Sequence, residues 1–376
     1  MTPSEPARTE EQNLEAESVS FVIPAYNVAG TLRKCVESIL AGSCVPSEII
    51  IVDDGSTDGT AEIVSALEQA DCDRVRSLRM VKNLGPAAAR NAGAALARGT
   101  LLFFLDADTQ LDRNALEQFE HRIREADAVC GVYDPVPLNK GLVPEYKAHL
   151  DSFHFSRRGI TEYDGFSGYC AGVRASAFAE TGGFDENLVA GMDVELEEFG
   201  YRFSREHRTL LDPSIRARHC FPAFGKLTRL YLRRVSQWTG LFLQRRRFER
   251  AGDATASVGL ATISMPLAIS CLPLAWFWPP AWLLFGGLLA TWGLGYRRFF
   301  GYVWLKRRSR LLPFVVLNGY FSCVVALGAA WGFATFLART CWNWIRTMIG
   351  MGDVRGFAPE VPVSREDPPG GTAKRS

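Results

Sequence analysis

The chain has 376 residues, with 42 Lys and Arg against 41 Asp and Glu and a net charge of +1. That length holds an enzyme core plus a second region, and so balanced a charge offers no global field to draw nucleic acid, which is excluded as a partner. The balance hides two unlike regions: residues 18–225 read as a mixed soluble domain, whereas residues 254–338 are mostly apolar and rich in Trp, Phe, Leu and Gly.

In chain order, residues 1–17 are polar and acidic, lack the apolar core of a signal peptide and read as a disordered N-terminus. Residues 19–23 (Val-Ser-Phe-Val-Ile) form an apolar, β-branched run that stops at Pro24, the pattern of a buried strand. Helical spacing follows at Leu32, Cys35, Val36, Ile39 and Leu40. A second strand over residues 47–52 ends in the turn-rich run Asp53-Asp54-Gly55-Ser56-Thr57-Asp58-Gly59, and Thr60 is placed to start a helix reaching about Ala70. A third strand at residues 79–82, an Ala-rich helix over 86–98 and a fourth strand at 101–105, ending at Asp106, complete the pattern. Continuous apolar strands alternating with helices predict an α/β fold, a mostly parallel sheet covered on both faces. Ligands bind such sheets at the carboxyl ends of the strands. The loops at Pro24, Asp53 and Asp106 can therefore meet at one site.

Beyond residue 115 the pattern loosens. A helix is expected at 117–126, a strand at 128–133, an amphipathic helix at 193–203 and a strand end at 216–219. Residues 226–253 read as a basic interfacial helix. Tyr231, Leu232, Val235, Trp238, Leu241 and Phe242 give it an apolar face, while Arg233, Arg234 and Arg245 to Arg247 would meet lipid phosphates. From Ala254 to Tyr296 there are 43 residues without a charge, and from Leu311 to Ala338 another 28. A crossing needs about 20 apolar residues, so the 254–349 region is expected to span three times, at 254–276, 279–296 and 311–338. The basic residues Arg245 to Arg247, Arg250, Arg297, Arg298, Lys306 to Arg308 and Arg310 put the flanking segments, and with them the soluble domain, in the cytoplasm. The expected location is therefore the inner, plasma membrane, multi-pass. Residues 350–376 read as a disordered tail. Nine cysteines show no C-x-x-C spacing, so neither a zinc site nor a redox motif is indicated.

The strongest chemical signal is Phe103-Phe104-Leu105-Asp106-Ala107-Asp108. Two carboxylates two residues apart, just past a buried strand, face one ligand space. Such hard oxygen ligands suit Mg²⁺ or Mn²⁺ bound jointly with substrate phosphates. Within the same stretch stand Val22-Ile23-Pro24-Ala25-Tyr26-Asn27, Ile51-Val52-Asp53-Asp54-Gly55-Ser56-Thr57-Asp58-Gly59 and Asn83-Leu84-Gly85-Pro86-Ala87-Ala88-Ala89-Arg90-Asn91, followed by Gly182-Gly183-Phe184-Asp185-Glu186 and Met192-Asp193-Val194-Glu195. No G-x-G-x-x-G follows the first strand, against a dinucleotide-dependent dehydrogenase.

In order and spacing these motifs resemble the inverting GT-A glycosyltransferases of family 2, over about residues 18–220. The resemblance implies a nucleotide-sugar donor whose base and ribose are framed by Pro24, Tyr26 and Asp54. It implies ribose or metal contact by Asp106, and a metal ligand at Asp108. Arg90 would approach the diphosphate or pair with an acidic loop. His219 would touch metal or diphosphate, or serve only the structure. On the acceptor side, where Gly183 and Glu195 stand, Asp193 matches the general base that takes the acceptor hydroxyl proton. The usual Glu before it is Met192 here, and Glu195 is the alternative base. Gln244-Arg245-Arg246-Arg247-Phe248 resembles the Q-x-x-R-[WF] motif of processive members, which places Gln244 and Arg247 near the acceptor. The implied function is transfer to a membrane-associated, lipid-linked glycan in surface polysaccharide or glycoconjugate synthesis, with membrane lipids as further partners. The rivals are a polyprenyl-phosphate glycosyl synthase, whose D-x-D-x-Q variant Gln110 echoes, a processive synthase, and a non-catalytic membrane scaffold.

Overall fold

The computed structural model describes residues 17–187, 194–245 and 255–348. Strands and helices alternate through β1 (Val19–Ala25), α1 (Leu32–Leu40), β2 (Glu48–Asp53), α2 (Thr60–Ala70), β3 (Val75–Arg79), α3 (Pro86–Leu96) and β4 (Leu101–Leu105). There follow β5 (Thr109–Leu111), α4 (Ala115–Arg122), β6 (Ala128–Tyr133), α5 (Leu142–Ser156), β7 (Thr161–Glu162), β8 (Cys170–Arg174), α6 (Ala175–Glu180), α7 (Glu195–Phe203) and β9 (Thr209–His219). These strands make one sheet in the order β3-β2-β1-β4-β8-β6-β9-β5, with β7 paired to β9.

The first four strands in that order are parallel, with Ala25 level with Asp53 and Val22 level with Phe104. Every residue of β2 and β4 is buried, and Phe21 stacks on Phe103 with ring centroids 4.6 Å apart. The other half is mixed: β6 runs parallel to β9, whereas β8 runs antiparallel to both β4 and β6, and β5 and β7 antiparallel to β9. In β8 packing demands a small residue. A Cβ on Gly172 in β8 would lie 2.1 Å from the Phe119 ring.

Four longer helices follow: α8 (Phe224–Arg245), α9 (Ala256–Phe277), α10 (Ala281–Lys306) and α11 (Leu311–Met348). The α9 helix and residues 308–342, which include most of α11, are long and apolar enough to cross a membrane. In α10 the uncharged stretch from Ala281 to Tyr296 is 16 residues, short of the usual crossing, and the helix runs on through Arg297 and Arg298. The chain divides into one unit of Met1–Ala334, holding the sheet and most of the helical region, and a second of Thr335–Ser376.

The joint inside the first unit is α5, a helix that the sequence patterning did not reveal. Tyr146, fully buried, sits among Phe299 of α10 and Phe314 and Phe321 of α11, and its hydroxyl accepts a hydrogen bond from Asn318 Nδ2 at 3.2 Å. The α8 helix is tied on two sides. Arg234 Nη2 donates to Glu197 Oε1 at 2.7 Å, and Trp238 Nε1 donates to the Tyr201 hydroxyl at 3.0 Å. Arg234 is thus committed to α7 rather than to lipid headgroups. On its other side α8 crosses α11 at Gly328 and Gly332, a small-xxx-small pair of the kind that lets apolar helices touch backbone to backbone. A Cβ on Gly332 would stand 2.3 Å from the Ser236 carbonyl oxygen. Gly332→Leu is therefore expected to separate the two helices and lower the midpoint of thermal unfolding in detergent by several degrees or more, at about 1–3 kcal/mol for overpacking. An unchanged midpoint would mean that the crossing is loose.

Candidate active site

Three loops leave the carboxyl ends of β1, β2 and β4 together. Asn27, at φ 54°, donates its backbone N–H to Ser56 Oγ at 3.0 Å and accepts from the Thr57 N–H at 2.9 Å. Asp53 accepts from the Ser56 N–H at 2.9 Å, so it shapes the turn. Gly55 is at φ 70°, and a Cβ there would lie 2.8 Å from the backbone of Lys82. Asp54 is buried, and its two oxygens accept from the Leu84 and Gly85 N–H groups, each at 2.8 Å. Burial raises its pKa, the two N–H donors oppose that rise, and the neighbouring Asp53 adds to it. Asp54 thereby fixes the loop that opens α3. Asp54→Asn would turn an amide N–H towards one of these donors. It is expected to lower stability by about 1–3 kcal/mol, read by chemical denaturation, because a buried donor loses its acceptor.

From the second turn of α3, Arg90 reaches under the site. Its side chain is 4% exposed; Nη2 donates to Asp106 Oδ1 at 2.8 Å and Nη1 to Glu195 Oε1 at 3.0 Å. The guanidinium also lies 5.7 Å from the centre of the Phe184 ring. Although burial works against its charge, Asp106 and Glu195 hold the pKa of Arg90 above its ordinary value. Burial raises the pKa of Asp106; Arg90 opposes this and Asp108 reinforces it. Of the two roles open to Arg90, the structure gives it the acidic partners. Glu195 begins α7 and is buried, and its second oxygen has no hydrogen-bond partner.

The antiparallel pairing of β5 with β9 sets Thr109 opposite His219. This brings His219 Nε2 to 3.3 Å from Asp108 Oδ2. The imidazole stands against Tyr133 and Phe221, each with a centroid distance of 4.8 Å, and Tyr133 stacks on Tyr169 at 3.9 Å. Sequence patterning did not single out Tyr133 or Tyr169, since an aromatic at a strand end carries no motif.

A cleft of about 1960 Å³ takes in Pro24, Tyr26, Asp54, Arg90, Asp106, Asp108, Glu195 and His219. Gly183 is not among its walls. It holds a loop at φ 68°, where its carbonyl accepts from Arg202, and Asn91 clasps the next residue, Phe184, through that residue's N–H and carbonyl. Asp193 and Arg247 lie outside the described residues, as does the side chain of Gln244.

Among the described residues no group of three His, Cys, Asp or Glu side chains could by itself hold a metal ion. What stands here is a partial set: Asp108, 37% exposed, with the His219 ring beside it and the Asp106 oxygen that Arg90 leaves free. That set fits a divalent cation that takes its remaining ligands from substrate phosphates.

Residues 20–182 match the model of glycosyl transferase family 2. The chain carries a family 2 glycosyltransferase domain. Glycosyltransferase GlyG of Streptococcus pneumoniae is 39% identical to it over 120 residues, 31% of this chain and 40% of that protein. The succinoglycan biosynthesis protein ExoO of Rhizobium meliloti is 39% identical over 114 residues, 30% of this chain and 32% of its own length. The matches thus span less than half of these relatives. The mannosyltransferase PcManGT from Pyrobaculum calidifontis, solved with GDP-Man and Mn²⁺, shares the fold at a TM-score of 0.52 and 18% identity, over 84% of this chain and 87% of that one. This share is larger than the sheet region alone, so the likeness of fold extends from the GT-A domain into the helices.

Proposed function

We propose that this glycosyltransferase moves a sugar, with inversion, from a nucleotide-sugar donor to a lipid-linked glycan acceptor at the plasma membrane. The observation that carries the reading is the single cleft in which Asp54, Arg90, Asp106, Asp108 and His219 gather at the strand ends and which continues between α8, α9 and α11. Tyr26, 45% exposed, and Pro24 offer a surface for the nucleotide base. Asp108, with Asp106 and His219, would hold Mg²⁺ or Mn²⁺, which when bound neutralises charge developing on the leaving diphosphate. PcManGT, solved with GDP-Man and Mn²⁺, and the succinoglycan biosynthesis protein ExoO support a reading of this donor, metal and product class.

The proton of the acceptor hydroxyl goes to Asp193, as the family pattern implies. Glu195, the alternative base, has one oxygen tied to Arg90 and the other without a hydrogen-bond partner. The two apolar helical stretches anchor the chain, and the basic residues between Arg297 and Arg310 keep the GT-A domain on the cytoplasmic side of a multi-pass arrangement.

The test is nucleoside-diphosphate release by the detergent-purified chain. The assay uses a panel of UDP-, GDP- and dTDP-sugars with Mn²⁺ or Mg²⁺ and a lipid extract as acceptor source. Metal-dependent release from one donor, lost in Asp108→Ala and Asp193→Asn, is expected. Retention in Asp193→Asn would instead indicate a phosphate acceptor, which needs little base catalysis. Donor binding without release from any donor would turn the reading towards a membrane scaffold.

A further inference from the structure

The α3 helix is seated hard on the parallel strands. Ala89 is buried together with Ile50 and Val52 of β2, and a Cβ on Gly93 would stand 2.4 Å from Val22 of β1. Two neighbouring residues of this helix, Arg90 and Asn91, hold two separate places along residues 184–195. Arg90 takes Glu195 at the start of α7 with Nη1, and Asp106 with Nη2. Asn91 takes the turn after α6. Its Oδ1 accepts from the Phe184 N–H at 2.9 Å, and its Nδ2 donates to the Phe184 carbonyl and to Glu186 Oε1, each at 2.8 Å. A carboxamide can both give and accept there, and both its N–H bonds and its oxygen are engaged.

A third tie closes the circuit. Arg202 of α7 pairs with Glu198 at 2.9 Å, and its guanidinium donates to the Thr181 and Gly183 carbonyls. From Arg90 the contacts run through Glu195, α7 and Arg202 to the turn at 181–186, and return to α3 through Asn91. Asp106 joins this circuit at Arg90. Replacing a buried ion pair by apolar groups is often neutral or stabilising, so stability alone does not account for the buried Arg90 and Glu195. What their pairing fixes is the place of α7 relative to Asp106.

We propose that Arg90 and Asn91 are positioning residues, which set residues 184–195 against the cation site at Asp106. The proposed base, Asp193, stands two residues before Glu195 in the chain. The inference rests on the glycosyltransferase reading and adds that the acceptor side is aligned from the donor side, through α3. Such alignment matters to rate because a misplacement of about 1 Å can cost about 100-fold.

The test uses the full chain in detergent and Asn91→Asp, which keeps the side chain's shape but cannot donate to the Phe184 carbonyl or to Glu186. The kcat for nucleoside-diphosphate release with the lipid extract should fall about 10- to 100-fold, while the donor's KM stays within about twofold of wild type. The double variant Asn91→Asp, Glu186→Gln offers the carboxylate a donor and should regain about fivefold in kcat, the worth of one hydrogen bond. Hydrogen exchange read by mass spectrometry follows placement without turnover. In Asn91→Asp the α7 amides should exchange about fivefold faster, with β1, β2 and β4 unchanged. Should that variant fail to fold, Arg202→Lys carries the test with the same split between kcat and KM, since a lysine keeps the charge beside Glu198 and loses the fork to two carbonyls. Wild-type kcat in both variants, a donor KM that rises in step with the fall in kcat, or unchanged α7 exchange would overturn the proposal. Faster α7 exchange in the variant, with no release by the wild-type chain from any donor, would leave the circuit standing and remove the transferase reading; wild-type release with unchanged α7 exchange would do the reverse.

Discussion

Arg90→Met is expected to lower stability by about 3–5 kcal/mol, the scale seen when one partner of a buried ion pair is removed. The guanidinium is the link between Asp106 and Glu195, and Glu195 is only 9% exposed. Without Arg90 that carboxylate keeps its desolvation and loses its counter-charge. Calorimetry of the detergent-solubilised chain should show a fall in melting midpoint of roughly 10 °C, given about 2–4 °C per kcal/mol for a domain of this size. The double variant Arg90→Met, Glu195→Gln should recover part of the loss, because the second change removes the stranded charge. An unchanged midpoint in the single variant would show that the bridge contributes nothing net. Full loss in the double variant would show that Asp106, not Glu195, is the partner that matters.

Asp108→Ala is expected to leave the fold intact and abolish most turnover. Its carboxylate is partly exposed and stands beside the His219 ring, so little packing is lost. If the cation it holds supplies several kcal/mol of charge stabilisation, the rate should fall about 10²–10⁴-fold. Nucleoside-diphosphate release titrated with Mn²⁺ and Mg²⁺ is the measurement. The variant should show a low rate with no saturation in metal, and wild-type chain treated with a chelator should match it. Wild-type rates in Asp108→Ala at every metal concentration would remove the metal from the mechanism.

In the parallel half of the sheet β1, β2 and β4 were legible from their apolar runs, and the loops after them had to share an end; β3, Val75-Arg76-Ser77-Leu78-Arg79, has no such run and lies at 75–79 rather than at the expected 79–82. The carboxylates at Asp54, Asp106 and Asp108 could therefore be brought to one cleft from spacing alone. The pairing of Arg90 with Glu195 could not, since the partners are 105 residues apart and join only when α7 folds back over α3. The α5 helix was hidden for a related reason. Its buried face mixes Tyr146, His149, Asp151 and His154 with Val143, so no simple apolar stripe marks it, and its partners are residues of α10 and α11 far along the chain. Arg234 looked like a headgroup contact because a run of arginines on an amphipathic helix resembles one, and only tertiary structure supplies Glu197. Even the antiparallel strand β8 was written as glycine and cysteine rather than as alternation, because Phe119 leaves no room for a larger residue at position 172.

The way α5 lies against α10 and α11 bears on how the protein can be handled. A fragment cut before α8 would keep every strand of the sheet, yet it would bare Val143, Tyr146, Leu150 and Phe153 to water. Such a patch on an otherwise complete domain invites self-association. The catalytic half is thus less a soluble module on a leash than one side of a shared interior, and preparations that strip away the helices should yield aggregates where the whole chain in detergent stays dispersed.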